Sequence, residues 1–144
     1  MSTNKKISIF LVDDDALYLK LLEKDLSEKP DYLISTFATG ERCLESLSEK
    51  PDIIVLDYFL NGIEKDVLNG LETLSMIKSE YPGIPVIMLS SQDKIEVAVN
   101  CMKLQAFEYI VKSETALARL NNAILTALHY KKMEKTLSWY MEKL

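Results

Sequence analysis

The chain has 144 residues, 48% of them hydrophobic and 27% charged, a size that buries about 68% of the unfolded surface and supports one core. Its 17 basic and 22 acidic side chains leave a formal charge of -5 with no lysine- or arginine-rich tract, which argues against direct nucleic-acid contact. The N-terminal apolar stretch is too short for a secretory signal and no later run approaches the roughly 18 apolar residues of a membrane span, so a cytoplasmic protein without membrane contact is expected.

The first predicted strand, Ile7 to Val12, runs straight into Asp13-Asp14-Asp15. A helix follows, marked by Leu17, Leu21 and Leu22. The second strand, Tyr32 to Phe37, ends in Ala38-Thr39-Gly40 and brings no charge; Leu44 and Leu47 mark the helix after it. The third strand, Asp52 to Leu56, ends at Asp57, and Asn69-Gly70 opens a helix carrying Leu71, Leu74 and Ile77. The fourth, Pro85 to Leu89, ends at Ser90-Ser91 ahead of a helix with Val97, Cys101 and Leu104. The fifth, Phe107 to Val111, ends at Lys112, and a much longer helix follows Ser113 with Leu117, Leu120, Ile124 and Leu128 on one stripe. The runs IFLV, IIVL and VIML are continuously apolar, as strands covered on both faces are. Lys29-Pro30, Lys50-Pro51 and Tyr81-Pro82-Gly83 fall between elements, where proline breaks nothing. Five βα units in series predict a parallel sheet with helices on both faces and right-handed crossovers. Cys43 and Cys101 lie in helical segments without metal or disulfide spacing and are expected as small buried groups.

In such a sheet, functional groups gather beyond the carboxyl ends of the strands. Strands one, three, four and five deliver aspartates, Asp57, serines and Lys112 to that one edge. Unit charges about 4 Å apart repel by roughly 4 kcal/mol at a surface-like dielectric, so crowded aspartates need a cation or a capping role. Asp15 is expected to cap the first helix. The remaining carboxylates are hard oxygen ligands suited to Mg²⁺, and without an ion they should raise one another's protonation equilibria. A lysine and a serine beside a metal can hold the peripheral oxygens of a transferring phosphoryl group, and an aspartate can accept it as an acyl phosphate.

FLVDDDA, DIIVLDYFL, PVIMLSS and AFEYIVKSE, in this order at these strand ends, resemble the response-regulator receiver domain of two-component signalling over about residues 5 to 125. The resemblance implies a flavodoxin-like (βα)5 fold with strand order 2-1-3-4-5. It implies that Asp57 accepts a phosphoryl group from a histidine kinase or histidine phosphotransfer protein, with Mg²⁺ as cofactor. Asp14 would then ligate Mg²⁺ directly, Asp13 mainly through water, and the Phe59 carbonyl would complete the protein's share of the metal shell. Ser90 would hydrogen-bond the phosphoryl group, Lys112 would pair with it, and Tyr109 would be the aromatic switch coupled to Ser90. Output would pass through helix four, strand five and helix five. Such a domain acts on no separate substrate and promotes only its own phosphorylation and dephosphorylation.

Three features depart from the family pattern. The segment YFLNGIEKDVL after Asp57 is several residues longer than usual and lacks the common proline, so a mobile loop beside the site is expected, and the sequence leaves the conformation of Asn61 to Leu68 open. Ser113 replaces the proline that often follows the lysine, which makes a cis peptide there improbable and leaves the position of Lys112 free to differ slightly. The chain also continues helically over residues 126–144. There Tyr130, Met133, Leu137, Tyr140 and Leu144 recur in alternating steps of three and four, a seam suited to a homodimer or an output module. Either a stand-alone relay protein or the front of a longer chain is expected.

Other readings fit less well. A haloacid-dehalogenase-type phosphatase would use Asp13-x-Asp15, Ser90 and Lys112, but it needs a late acidic pair and gives Asp57 no role. A nucleotide or flavin binder needs a G-x-G-x-x-G loop, which the four glycines do not form. A phosphorylation-independent scaffold of receiver fold would be marked by loss of an acidic residue or the lysine, and all are retained. His129, the sole histidine, is expected to face solvent as neither ligand nor phosphodonor.

Overall fold

In a computed structural model, which describes residues 5–60 and 68–144, the five strands are β1 (Ile7–Val12), β2 (Tyr32–Phe37), β3 (Ile53–Leu56), β4 (Val86–Ser90) and β5 (Glu108–Val111). All pair in parallel in the order β2-β1-β3-β4-β5. The helices are α1 (Ala16–Leu26), α2 (Gly40–Glu45), α3 (Gly70–Glu80), α4 (Ile95–Lys103) and α5 (Ala116–Lys143). The fold is therefore the flavodoxin-like doubly wound sheet expected above. The expected mobile loop falls largely on residues that lie outside the described ones, Asn61 to Val67.

Alternation along the central strands divides the core in two. Ile9, Leu11, Ile53, Val55, Ile87 and Leu89 point to one face and are covered by Leu19, Leu22 and Leu26 of α1 and by Leu120, Ile124 and Ala127 of α5. Phe10, Val12, Ile54, Leu56, Val86 and Met88 point to the other, under Cys43, Leu74, Ile77 and Cys101 of α2, α3 and α4. Both cysteines are free and buried, and burial pushes the Cys43 thiol up to about 12.

The second helix is shorter than its leucine spacing predicts. It ends at Glu45, and Leu47 fills the core from a 3₁₀ turn, Leu47–Glu49. That turn ends at Lys50, whose backbone is left-handed (φ 53°), since the ring of Pro51 disfavours helical backbone at the residue before it. The last helix, by contrast, is a single run of 28 residues. Among the described residues its last hydrogen bond and ion pair to the domain are made by Lys131, which lies 3.7 Å from Asp52 Oδ1 and donates to the Asp52 carbonyl. Beyond it about 18 Å of helix continues, at 1.5 Å per residue, with Met133, Leu137, Trp139, Tyr140 and Met141 exposed.

Candidate functional site

The carboxyl ends of β1, β3, β4 and β5 meet at one edge, as the register of adjacent strands requires: Val12 lies beside Leu56, Leu56 beside Met88, and Ser90 beside Val111. Asp13, Asp57 and Lys112 directly follow β1, β3 and β5, and Ser90 is the last residue of β4. Ligand oxygens of Asp13, Asp14 and Asp57 all lie within 4.8 Å of one another, Asp13 and Asp57 buried and Asp14 exposed. Lys112 reaches in from the end of β5, its Nζ 2.8 Å from Asp13 Oδ2 and 3.6 Å from Asp57 Oδ2. Its backbone is held by donation to the Ser90 carbonyl. There is no cis peptide among the described residues, so Lys112 reaches the acidic pair through a trans bond to Ser113.

The three aspartates have different tasks. Asp15 caps α1: its side chain accepts from Leu17 N at 3.0 Å and Tyr18 N at 3.2 Å. Asp13 is occupied at both oxygens, Oδ1 accepting from Asp15 N and Oδ2 from Lys112 Nζ. Asp14 keeps its side chain at the mouth of the site, where it lies close to Asp13 and Asp57.

Asp57 is 4% exposed, and burial, then the charge of Asp13, pushes its carboxyl up to about 7 against the opposing pull of Lys112 and the Phe59 N–H. Carboxylate crowding acts in the direction expected from the sequence, but burial is the larger cause. Lys112 is shifted upward: burial works against its charge, yet the Asp13 hydrogen bond and the charges of Asp57 and Asp13 outweigh it. Three carboxylates of unequal burial, opening on solvent at Asp14, form the hard, partly open donor set that suits a small divalent cation.

Around this centre, Ser90 is fully buried and its Oγ accepts from Gln92 N. The Tyr109 hydroxyl donates to the Gln92 carbonyl at 2.6 Å, which ties β5 to the loop after β4. Phe59 donates its N–H to Asp57 Oδ1, while its ring is 41% exposed and edge-on to Tyr58. His129 lies on the exposed side of α5, outside the cluster.

Two participants were not singled out from the sequence. Tyr18 places its ring centroid 4.2 Å from Lys112 Nζ. Glu41, at the start of α2, accepts from Leu68 N at 2.8 Å and so anchors the chain just before α3. Tyr18 could have been found as the third residue after an expected cap. Glu41 left no local signal, because its partner is 27 residues away.

A profile of the response regulator receiver domain matches residues 9–125. The chain belongs to this family, whose members are phosphoacceptor signalling switches. It is similar to a putative NtrX-like response regulator of Rickettsia conorii, 37% identical over 108 residues that make up 74% of this chain and 22% of the relative. A protein-glutamate methylesterase/protein-glutamine glutaminase of Bacillus subtilis is 37% identical over 110 residues, 74% of this chain and 29% of that one. The crystal structure of NtrX from Brucella abortus superposes with a TM-score of 0.82 at 28% identity, covering 95% of this chain and 30% of that one. The chain thus spans less than a third of the length of these relatives.

Proposed function

We propose that Asp57 accepts a phosphoryl group from a phosphohistidine of a histidine kinase or histidine phosphotransfer protein. The observation that carries this reading is a buried carboxylate 3.6 Å from a lysine ammonium and flanked by two more carboxylates. An ionised Asp57 oxygen attacks phosphorus, a P–O bond forms, the P–N bond to the donor imidazole breaks, and its electron pair returns to the ring nitrogen. Asp13, Asp14, Asp57 and the Phe59 carbonyl would hold Mg²⁺, which supplies positive charge to the phosphoryl oxygens and offsets the crowded carboxylates. Lys112, released from part of its contact with Asp13, pairs with the incoming oxygens, and Ser90 Oγ donates to one of them. The Tyr109 hydroxyl and Gln92 carbonyl then form a two-position link from Ser90 to the face of α4, β5 and α5.

On this reading residues 5–125 are a cytoplasmic receiver domain with no substrate beyond its own phosphorylation and no direct contact with nucleic acid or membrane. The continuation of α5 over residues 126–144 carries its seam to a second copy of the chain, or to an output module. A receiver-fold scaffold that works without phosphorylation is disfavoured because every acidic residue and the lysine are retained in contact. Intact-mass measurement tests the acceptor. With acetyl phosphate and Mg²⁺ the wild type gains one phosphoryl group and Asp57→Asn gains none; equal gain in both contradicts the assignment.

A further inference from the structure

We propose that Tyr18 is a positioning residue that holds the Lys112 ammonium against the carboxylates of Asp13 and Asp57. The inference rests on the reading of Asp57 and Lys112 given above, and goes beyond it by naming what keeps the lysine in place. A lysine has a long, freely rotating stem and a strongly hydrated head, and from a sheet edge it can swing into solvent. Lys112 does not: its side chain is only 17% exposed, with the Tyr18 ring centroid 4.2 Å from Nζ and Asp13 Oδ2 at 2.8 Å. No proline follows it to stiffen the backbone, since Ser113 stands there.

The ring is itself placed by the third aspartate. Tyr18 is the third residue of α1, and its N–H donates to Asp15 Oδ1, which fixes the first turn of the helix. The ring also packs on the core between the sheet, α1 and α5, so it is a wall and not a loose flap. A cation facing an aromatic ring is attracted by the ring's quadrupole, the more so where water is kept away. Asp15, Tyr18 and Lys112 therefore form a chain of contacts from a helix cap to the acceptor. This gives the DDD cluster a second task besides cation binding.

The test uses the full chain with Tyr18→Phe, Tyr18→Leu, Lys112→Ala and the Tyr18→Leu/Lys112→Ala double variant. The first readout is the NMR shift of the Lys112 ε-methylene protons without phosphodonor. Ring current holds them upfield in wild type and Tyr18→Phe, and they move to the ordinary lysine position in Tyr18→Leu. An unshifted Lys112 in the wild type overturns the proposal without recourse to any destabilised variant.

The second readout is the rate of phosphorylation by acetyl phosphate with Mg²⁺. Tyr18→Leu is expected to slow it roughly fivefold and Tyr18→Phe by less than about twofold, as loss or retention of a cation–π contact predicts. In the Lys112→Ala background Tyr18→Leu adds nothing. An equal slowing in both backgrounds assigns Tyr18 to packing alone and overturns the proposal. If Lys112→Ala slows the reaction and Tyr18→Leu does not, this inference falls while the site reading stands. If Lys112→Ala reacts at the wild-type rate, the site reading itself fails.

Discussion

Asp57 departs far from an ordinary carboxylate, and the departure has a sign that can be measured. Its protonation equilibrium is raised from 3.8 to about 7, with burial the main cause. Between those values the folded chain holds a proton that the unfolded chain has released, so this group's contribution to stability falls as pH rises through the window and is flat above it. The metal-free protein should therefore be less stable at pH 8 than at pH 5 through this group, and Asp57→Asn should remove that slope. The same substitution should stabilise the metal-free protein at pH 8 by about 1–3 kcal/mol, because a buried charge is exchanged for a neutral amide of the same shape. Urea unfolding with a chelator checks both; a wild type more stable at pH 8 than Asp57→Asn contradicts the electrostatic account. On the proposed reading Phe59 bears on a different property. Phe59, two places after Asp57, is 41% exposed, and its ring offers an approaching water no hydrogen bond. Slow loss of the phosphoryl group is expected, and Phe59→Asn should speed it roughly fivefold, about 1 kcal/mol of barrier. An unchanged decay rate removes Phe59 from the account.

At the scale of elements, the start of α3 is tied to the end of β3 by a glycine. Gly70 donates its N–H to the Tyr58 carbonyl at 2.9 Å, and a Cβ at this position would collide with the backbone of Asp57 and Tyr58. Gly70→Ala should cost about 1–3 kcal/mol by overpacking and displace the Asp57 backbone, so thermal unfolding and phosphorylation rate should fall together. Retention of both would show that α3 can withdraw without disturbing β3. Asn69 reinforces the junction through a capping box with Glu72, and Asn69-Gly70 was readable in the sequence as the opening of this helix. The strands were equally readable, since continuous apolar runs bounded by proline and polar turns leave few other assignments. The end of α2 was not, because Leu47 keeps its core position after the helix has stopped. Tyr18 was not either: a ring on α1 meets a lysine from β5 only once helix rotation and strand order are both fixed. The acidic residues and Lys112 could be assigned to one site because strand ends are a position in sequence as well as in space.

At the scale of the molecule, α5 joins two environments. Its first half is buried through Leu120, Ile124 and Ala127, whereas Met133, Leu137, Tyr140 and Leu144 are all more than half exposed. Tyr130 bridges the two, edge-on to Phe107 with ring centroids 6.2 Å apart. A seam of this kind left in water invites a partner, and two heptads suffice only because the helix is already nucleated by the domain. Light scattering should find the full chain self-associating at high micromolar concentration and a form ending at Leu128 monomeric. If both are monomers, pairing of copies is excluded. On the proposed reading the signal begins at the acceptor, Asp57. Borohydride reduction of the phosphorylated chain, which converts an aspartyl phosphate to homoserine, followed by peptide mass mapping, locates that acceptor directly. Homoserine at position 57 alone is the predicted result; homoserine at Asp13 or Asp14 with Asp57 intact would contradict it.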